Sequence, residues 1–246
     1  MCIRDSNWFD PLTLVRAVGQ AAEDHPDIKL FFLGSAHPNP DVPQMRMAAA
    51  AYKLAEETGL LDKHVFFNPG WVEYEKRADY LLEADVGVST HFDHVETAFS
   101  FRTRILDYLW AGLPIVATQG DSLSRLVDTE GLGVTVPPED VDALATAIKR
   151  LRNDKDLYAT CKRNVETLAP AMTWEHALAP IIEFCRLPRR AADRVGKPKQ
   201  YIAAERLVLT RSPGYYAKRF AEYARTAGPK TAMIHARNFV KSRMGR

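Results

Sequence analysis

The sequence of 246 residues lacks several features that would place it in a specialised class of proteins. It has no apolar run of about eighteen residues, the length that a transmembrane helix requires. Met1–Ser6 contains neither an apolar core nor a cleavage site of small residues, so the N-terminus does not resemble a signal peptide. The three cysteines, Cys2, Cys161 and Cys185, are far apart and in no metal-ligand spacing. These absences favour a protein of the reducing cytoplasm.

Acidic residues are scarce in the last part of the chain. Residues 186–246 contain 3 Asp+Glu against 16 Lys+Arg, whereas residues 1–185 contain 28 acidic and 17 basic side chains. A charge boundary this sharp indicates two parts with different roles. We therefore divide the chain into a domain of residues 7–185 and a basic extension of residues 186–246, and we treat residues 1–6 separately.

Residues 7–152 alternate predicted helices with short apolar runs. Asp10-Pro11 has the capping side chain and the proline that are typical of a helix start. The apolar runs do not alternate polar with apolar side chains, which is typical of parallel strands buried on both faces. These runs span residues 29–34, 64–67, 85–89, 114–117 and 133–136. The pattern predicts an α/β fold, a Rossmann-like parallel sheet flanked by helices and followed by a helical basic tail.

No strand is predicted before the first helix. A doubly wound domain normally begins with a strand at the centre of the sheet, whose strand order is 3-2-1-4-5-6. Met1–Ser6 does not have the pattern of that strand. We therefore expect that the sequence is an N-terminally truncated fragment and that Met1–Ser6 is not native. In the alternative interpretation, Cys2-Ile3-Arg4 forms the end of the central strand.

The segment from His91 to Thr118 places a polar loop and a helix at the carboxyl end of a predicted strand, where ligands of open parallel sheets bind. A helix is predicted from Ser100 to Ala111, and its N-terminal N–H groups and dipole favour an anion such as a diphosphate. Arg102 and Arg104 in its first turn would be offset by such an anion. Asp107 can accept two hydroxyl groups of a ribose. In the alternative interpretation, the arginines pair with Asp107 on the helix surface.

The same segment resembles the donor-site motif of family-four glycosyltransferases. Asp107, followed by A-G-L-P-I-V-A over residues 111–117, matches the second acidic residue of that motif and its continuation. The first acidic residue would fall at Phe99, and the nearest acid is Glu96. A branch of the family with the pattern E-T-x-F-x-F-R-T-R-x-x-D-Y-L-W-A-G-L-P is similar to this arrangement. The resemblance covers residues 7–185 and implies the C-terminal, nucleotide-sugar-binding half of a GT-B fold.

The resemblance also implies roles for individual residues. Glu96 would replace the sugar-contacting, catalytic carboxylate of the family. The residues that we expect to bind the donor are Trp8, Tyr74, His94, Ser100, Phe101, Arg102, Arg104 and Asp107. Two of them have an alternative interpretation. Trp8 either stacks on the base or packs over the sheet edge, and Phe101 also fits the core-facing side of the predicted helix, beside Ile105 and Leu109.

Two histidines flank Asp93 in the loop and suggest a metal site at first sight. The spacing of His91, Asp93 and His94 offers no fourth ligand, so we predict that no metal is bound there. Either histidine can donate a hydrogen bond to a phosphate group instead.

The family resemblance implies a retaining transferase that moves a sugar from a nucleotide-diphosphate sugar to a glycan or lipid-linked acceptor, as in cell-surface polysaccharide biosynthesis. It implies no metal and no cofactor beyond the co-substrate. Because the acceptor domain would lie in missing N-terminal sequence, we expect this chain to bind donor without transferring sugar. The alternatives are a nucleotide-sugar 2-epimerase of the same fold and a non-catalytic nucleotide-sugar-binding module. A dehydrogenase is disfavoured because no G-x-G-x-x-G is present.

The basic extension is predicted to form helices over residues 199–210, 213–227 and 229–244. Basic amphipathic helices suit an anionic membrane surface, which would place a cytoplasmic protein at the inner face of the membrane. Nucleic acid is not an expected partner, because no recognition module is evident. The alternative is a solvated tail that packs on the acidic domain.

Overall fold

The computed structural model describes residues 9–34, 45–68, 70–189 and isolated positions beyond residue 216. The chain divides into two units, residues 1–187 and 188–246, and the features that follow belong to the first. None of the helices in these described ranges is long and apolar enough to cross a membrane.

Helices and strands alternate along the described part of the chain. The α-helices are α1 (Pro11–Asp24), α2 (Arg46–Glu57), α3 (Arg77–Leu82), α4 (Val95–Phe99), α5 (Arg104–Trp110), α6 (Ser122–Thr129), α7 (Val141–Asn153), α8 (Lys155–Leu168) and α9 (Trp174–Arg186). The strands are β1 (Leu30–Phe32), β2 (Val65–Phe67), β3 (Gly87–Ser89), β4 (Ile115–Thr118) and β5 (Gly133–Val136). Short 3-10 turns precede α3 and α9 at Tyr74–Lys76 and Ala169–Met172.

All strand pairs between these elements are parallel. β1 pairs with β2, and β3, β4 and β5 form a second group in that order. Each neighbouring pair is connected through at least one helix, as parallel pairing requires. The predicted α/β fold with parallel strands flanked by helices is therefore confirmed.

One hydrophobic core joins the two groups of strands. Side chains from both groups pack with the apolar faces of α1, α2 and α7, and include Leu14, Phe32, Val65, Val116 and Leu144. Burying each such side chain contributes about 1.5–3 kcal/mol relative to leaving it exposed. A second cluster packs α5 and α6 against β4 and α8. Because apolar side chains cover the strands, polar groups collect at the strand ends.

The predicted start of the first helix is confirmed and is tied to the end of β3. The Asp10 carboxylate accepts the Thr13 N–H at 3.0 Å, and Pro11 occupies the first turn. The Asp10 N–H donates to the Thr90 carbonyl at 3.2 Å, and the Thr90 hydroxyl donates back to the Asp10 carbonyl at 2.7 Å. These bonds fix the start of α1 beside the loop that follows β3.

The prediction of one helix from Ser100 to Ala111 is wrong. The chain forms two short helices, α4 and α5, separated by an extended linker in which Ser100 has ψ 143°. The cause is a pair of side-chain contacts: the His94 side chain caps an earlier helix start, and Arg102 turns inward to pair with Glu96. Arg102 therefore precedes the helix, and Arg104 is its first residue.

The alternative interpretation that places Phe101 in the core is also wrong. Phe101 is 58% exposed, because it lies on the linker and not on the core-facing side of a helix. Ile105 and Leu109, which follow it on α5, are buried as expected. Cys161 is buried, but Cys185 is exposed on α9, whose side chains are all outside the core.

Several predictions lie outside the described residues. They are the donor contact of Trp8, the non-native origin of Met1–Ser6 and nearly all of the basic extension.

A substitution at Gly133 tests the packing of the parallel strands. A Cβ at Gly133 would lie 1.7 Å from the Ile115 carbonyl oxygen on β4, so the two strands would have to separate. Gly133→Ala should therefore lower the free energy of unfolding by about 1–3 kcal/mol or more, measured by urea denaturation. Gly70→Ala is the matched control, because no described atom lies within 4 Å of a Cβ built there. Equal stability of the two variants would contradict this packing.

Candidate functional site

The site lies at the carboxyl ends of β3 and β4, which meet at the same edge because the strands are parallel neighbours. The loop after β3 leads into α4, whose N-cap is His94. The His94 Nδ1 accepts the Thr97 N–H at 3.3 Å, which assigns the ring proton to Nε2. The Nε2 N–H of His94 is therefore left to donate a hydrogen bond to a ligand beside the loop.

Glu96 and Arg102 form the ion pair that shapes this loop. Arg102 Nη2 donates to Glu96 Oε2 at 3.1 Å, and the Glu96 side chain is 36% exposed. Burial opposes ionisation of Glu96, but hydrogen bonds from Ser100 and Arg102 outweigh it, so the pKa of Glu96 is lowered. Glu96 is therefore a carboxylate, not an acid, at neutral pH.

The buried Arg102 side chain contacts several groups of the loop and of the start of α1. It is 5% exposed, and its Nη2 also donates to the Thr97 hydroxyl at 3.1 Å. Its guanidinium carbon lies 5.4 Å from the centre of the Phe9 ring, within cation–π range. A guanidinium so buried and so paired fixes the loop, and in this arrangement it is less accessible to a phosphate than was expected from its position in the sequence.

Arg104 differs from Arg102 in its surroundings. It is half-buried at the first residue of α5, and its guanidinium carbon lies 5.7 Å from the centre of the same Phe9 ring. Its Nε is buried, and no hydrogen-bond partner for it exists among the described residues. Arg104 makes no hydrogen bond or ion pair among the described residues, whereas Arg102 is paired through Nη2, so Arg104 is the guanidinium of the two that is left for an anion.

Asp107 lies one turn after Arg104 on α5. Burial raises the pKa of Asp107, and the nearby positive charges of Arg104 and Arg77 oppose that shift without cancelling it. A half-buried carboxylate beside a guanidinium is suited to accept hydrogen bonds from hydroxyl groups. Arg77, on α3, was not identified from the sequence.

The aromatic rings of Tyr74, Phe99 and Phe101 are exposed to solvent. Tyr74 is 74% exposed on the turn before α3, and the Arg77 guanidinium carbon lies 5.3 Å from its ring centre. Phe99, on α4, is 87% exposed. These rings are accessible, as ligand-contacting aromatics must be.

A buried His–Asp pair lies beneath the loop. His91 Nε2 bonds Asp121 Oδ2 at 3.0 Å, and each side chain is 1% exposed. Burial opposes ionisation of Asp121, but the hydrogen bonds from His91 and the Ser124 and Leu123 N–H groups outweigh it, and the pKa of Asp121 is lowered. The alternative in which His91 contacts a phosphate is wrong, because its ring is buried and engaged.

No local pattern in the sequence indicates this pair, since the two residues follow different strands. The capping pattern of Asp121-Ser122 before an apolar run could have identified Asp121 as a helix cap. No group of three or more metal-ligating side chains occurs within the described ranges.

The parallel α/β fold of this chain matches that of GT-B glycosyltransferase structures. Residues 6–154 match the family described as glycosyl transferases group 1, and the chain belongs to that family.

Individual relatives agree with this assignment. Sucrose-phosphate synthase of Zea mays is 29% identical over 195 residues, which are 76% of this chain and 17% of the maize protein. The structure of HepE from Anabaena in complex with UDP and glucose aligns with a TM-score of 0.59 and 18% identity, over 74% of this chain and 46% of HepE. The C-terminal domain of LpcC from Francisella tularensis aligns with a TM-score of 0.56 and 16% identity, over 70% of this chain and 82% of that domain.

The chain is much shorter than most of these proteins. It spans 11 to 17% of the curated sucrose-phosphate synthases that it matches and 46% of HepE. Because the sequence identities to these solved structures are 16% and 18%, the likeness to them shows the shared fold.

The raised pKa of Asp107 generates a prediction about stability. Because the folded state binds this proton more tightly than the unfolded state, ionised Asp107 destabilises the fold at pH 7, and the penalty is lost as pH falls through its raised pKa. Asp107→Asn should therefore be at least as stable as the native chain at pH 7 in urea denaturation. Asp128→Asn, at an exposed position of α6, is the control. A clear loss of stability specific to Asp107→Asn would contradict the burial of this carboxylate.

Proposed function

We propose that this chain binds a nucleotide-diphosphate sugar at the α4–α5 loop, as the C-terminal, donor-binding half of a retaining GT-B glycosyltransferase. The observation that carries the proposal is Arg104, a half-buried guanidinium with no hydrogen bond or ion pair among the described residues, placed one turn from the half-buried carboxylate of Asp107. A cation next to a hydroxyl acceptor matches the diphosphate and ribose of a nucleotide sugar.

In this proposal each group has a distinct task. Arg104 binds the diphosphate and stabilises its negative charge as the sugar departs, which is electrostatic stabilisation of a leaving group. Asp107 accepts the ribose hydroxyls. Glu96 contacts the sugar as a carboxylate, and its lowered pKa suits an acceptor of hydrogen bonds or a stabiliser of positive charge, not a proton donor.

The remaining contacts complete the donor site. His94 donates from Nε2 to a phosphate oxygen, and Tyr74 borders the base. Arg102 acts by holding Glu96 in place, a change from the direct phosphate contact expected from the sequence. No metal ion is needed in this arrangement, because fixed positive charge already faces the diphosphate.

The comparisons support the class of donor. HepE was solved with UDP-glucose and with UDP and glucose, so UDP-glucose is the first donor to test. The likeness to the C-terminal domain of LpcC supports the assignment to a C-terminal half. The acceptor, a glycan or lipid-linked saccharide, and the binding of residues 186–246 to an anionic membrane surface belong to the same proposal.

The alternative of a nucleotide-sugar 2-epimerase has less support. Such an enzyme would be expected to present further histidine and glutamate side chains in its cleft. Of the two loop histidines, His91 is buried against Asp121, so only His94 can offer a ring nitrogen to a substrate.

Calorimetric titration of the chain with UDP-glucose tests the proposal. Arg104→Ala should weaken binding by about tenfold or more, because it removes a charge-assisted hydrogen bond to the diphosphate. Arg163→Ala on α8, where the guanidinium bonds only the exposed Thr160 hydroxyl among described residues, is the matched control. Failure of the native chain to bind UDP, UDP-glucose or other nucleotide sugars would contradict the proposal.

A transfer assay tests the division of labour between domains. The chain alone should release no sugar to an acceptor from any nucleotide sugar, because acceptor binding is assigned to a separate domain. Turnover by the isolated chain, at a rate that Glu96→Gln abolishes, would contradict that assignment. The same assay with the chain fused behind an acceptor domain is the positive control.

A further inference from the structure

The two carboxylate oxygens of Asp121 have separate tasks. Oδ1 caps α6 by accepting the Leu123 N–H at 2.7 Å and the Ser124 N–H at 2.9 Å. Oδ2 faces the other way and bonds His91 Nε2 at 3.0 Å. Oδ1 is thus used to cap α6, and Oδ2 points toward the residues beneath the α4–α5 loop.

Arg102 is the second group that Oδ2 faces. Arg102 Nε lies 4.0 Å from Asp121 Oδ2 and has no hydrogen-bond partner within the described ranges, while its Nη2 bonds Glu96 and Thr97. The charge of this buried guanidinium is therefore shared between a fully buried carboxylate and a half-exposed one. A buried ion left without one of its partners is strongly destabilised, so the position of Arg102 depends on Asp121.

The cluster around this pair is tightly built. The His91 N–H donates to the Thr118 hydroxyl at 3.3 Å, which joins the ends of β3 and β4. Gly120 has φ +127°, and a Cβ there would lie 3.3 Å from Thr97 Cγ2 and 3.8 Å from His91 Cε1. The residue that precedes Asp121 therefore packs closely against α4 and the His91 ring.

We propose that Asp121 is a positioning residue of the donor site, which holds His91 and Arg102 through Oδ2 and thereby fixes the Glu96 carboxylate. The proposal rests on the proposed function for its effect on donor binding. Asp121 is 1% exposed, so it acts through Arg102 and not by touching the ligand.

Asp121→Asn separates the two tasks of the carboxylate. The amide oxygen still caps α6, because asparagine is as good a cap as aspartate, but the charge at Oδ2 is lost. We expect UDP-glucose affinity to fall about tenfold in calorimetry. Asp140→Asn makes the same change at the cap of α7, where the carboxylate accepts the Ala143 N–H, and should leave the affinity unchanged. A folded Asp121→Asn chain that binds as tightly as Asp140→Asn overturns the proposal.

A second pair of variants approaches the same contact from His91. His91→Gln keeps an N–H donor that can reach Asp121, and its affinity should stay within about threefold of the native value, whereas His91→Ala should lose about tenfold. If His91 only filled space, glutamine, whose shape differs from that of histidine, would not restore the affinity. Equal affinities of the two His91 variants overturn the proposal, also in the case that Asp121→Asn does not fold.

A measurement without ligand separates this proposal from the proposed function. In nitrogen-15 NMR, the guanidinium of Arg102 should show separate, slowly exchanging Nη signals in the native chain and in Asp140→Asn, and averaged signals in Asp121→Asn. If the Arg102 signals are averaged in Asp121→Asn and the native chain does not bind UDP-glucose, the proposed function is rejected. Asp121 then remains the residue that holds Arg102. Unchanged Arg102 signals in Asp121→Asn overturn the inference, whatever the chain binds.

Discussion

A parallel sheet has to be covered on both faces, and this constraint decides where polar chemistry can occur in the molecule. Helices α1, α2 and α7 join the two groups of strands in one apolar core, so charged groups collect at the carboxyl edge of the strands. At that edge the bonds between Asp10 and Thr90 bring the start of α1 beside the loop after β3. Phe9 then lies within cation–π distance of both Arg102 and Arg104. The fold thus places two guanidiniums at one aromatic ring.

The site differs from a simple cationic patch because the two guanidiniums are in different states. Arg102 is buried and paired with Glu96, and it has the buried Asp121 opposite its Nε. Arg104 is half-buried and makes no hydrogen bond or ion pair among the described residues. One positive charge therefore maintains the shape of the loop, and the other is available to an anion. Asp107 remains the adjacent acceptor, with a pKa that burial raises.

Much of the fold could be predicted from sequence, because apolar runs, capping residues and turn residues are local signals. The start of α1 at Asp10-Pro11 and β5 at Gly133–Val136 lie where the pattern predicted them. The helix predicted from Ser100 failed because the inward turn of Arg102 is decided by a contact with Glu96, which no periodicity records. Asp121 was missed as a partner for the same reason: its hydrogen bond to His91 depends on which strands are neighbours. Composition and spacing report local preference, whereas the site is made of tertiary contacts.

Backbone amide shifts in nitrogen-15 NMR, mapped as UDP-glucose is added to the native chain, test directly whether the α4–α5 loop binds the donor. We expect saturable shifts concentrated in residues 92–107, with the largest at Arg104 and Asp107, and small shifts on α8. Shifts that are absent, or that centre on another part of residues 9–189, would contradict the claim that this loop is the donor site.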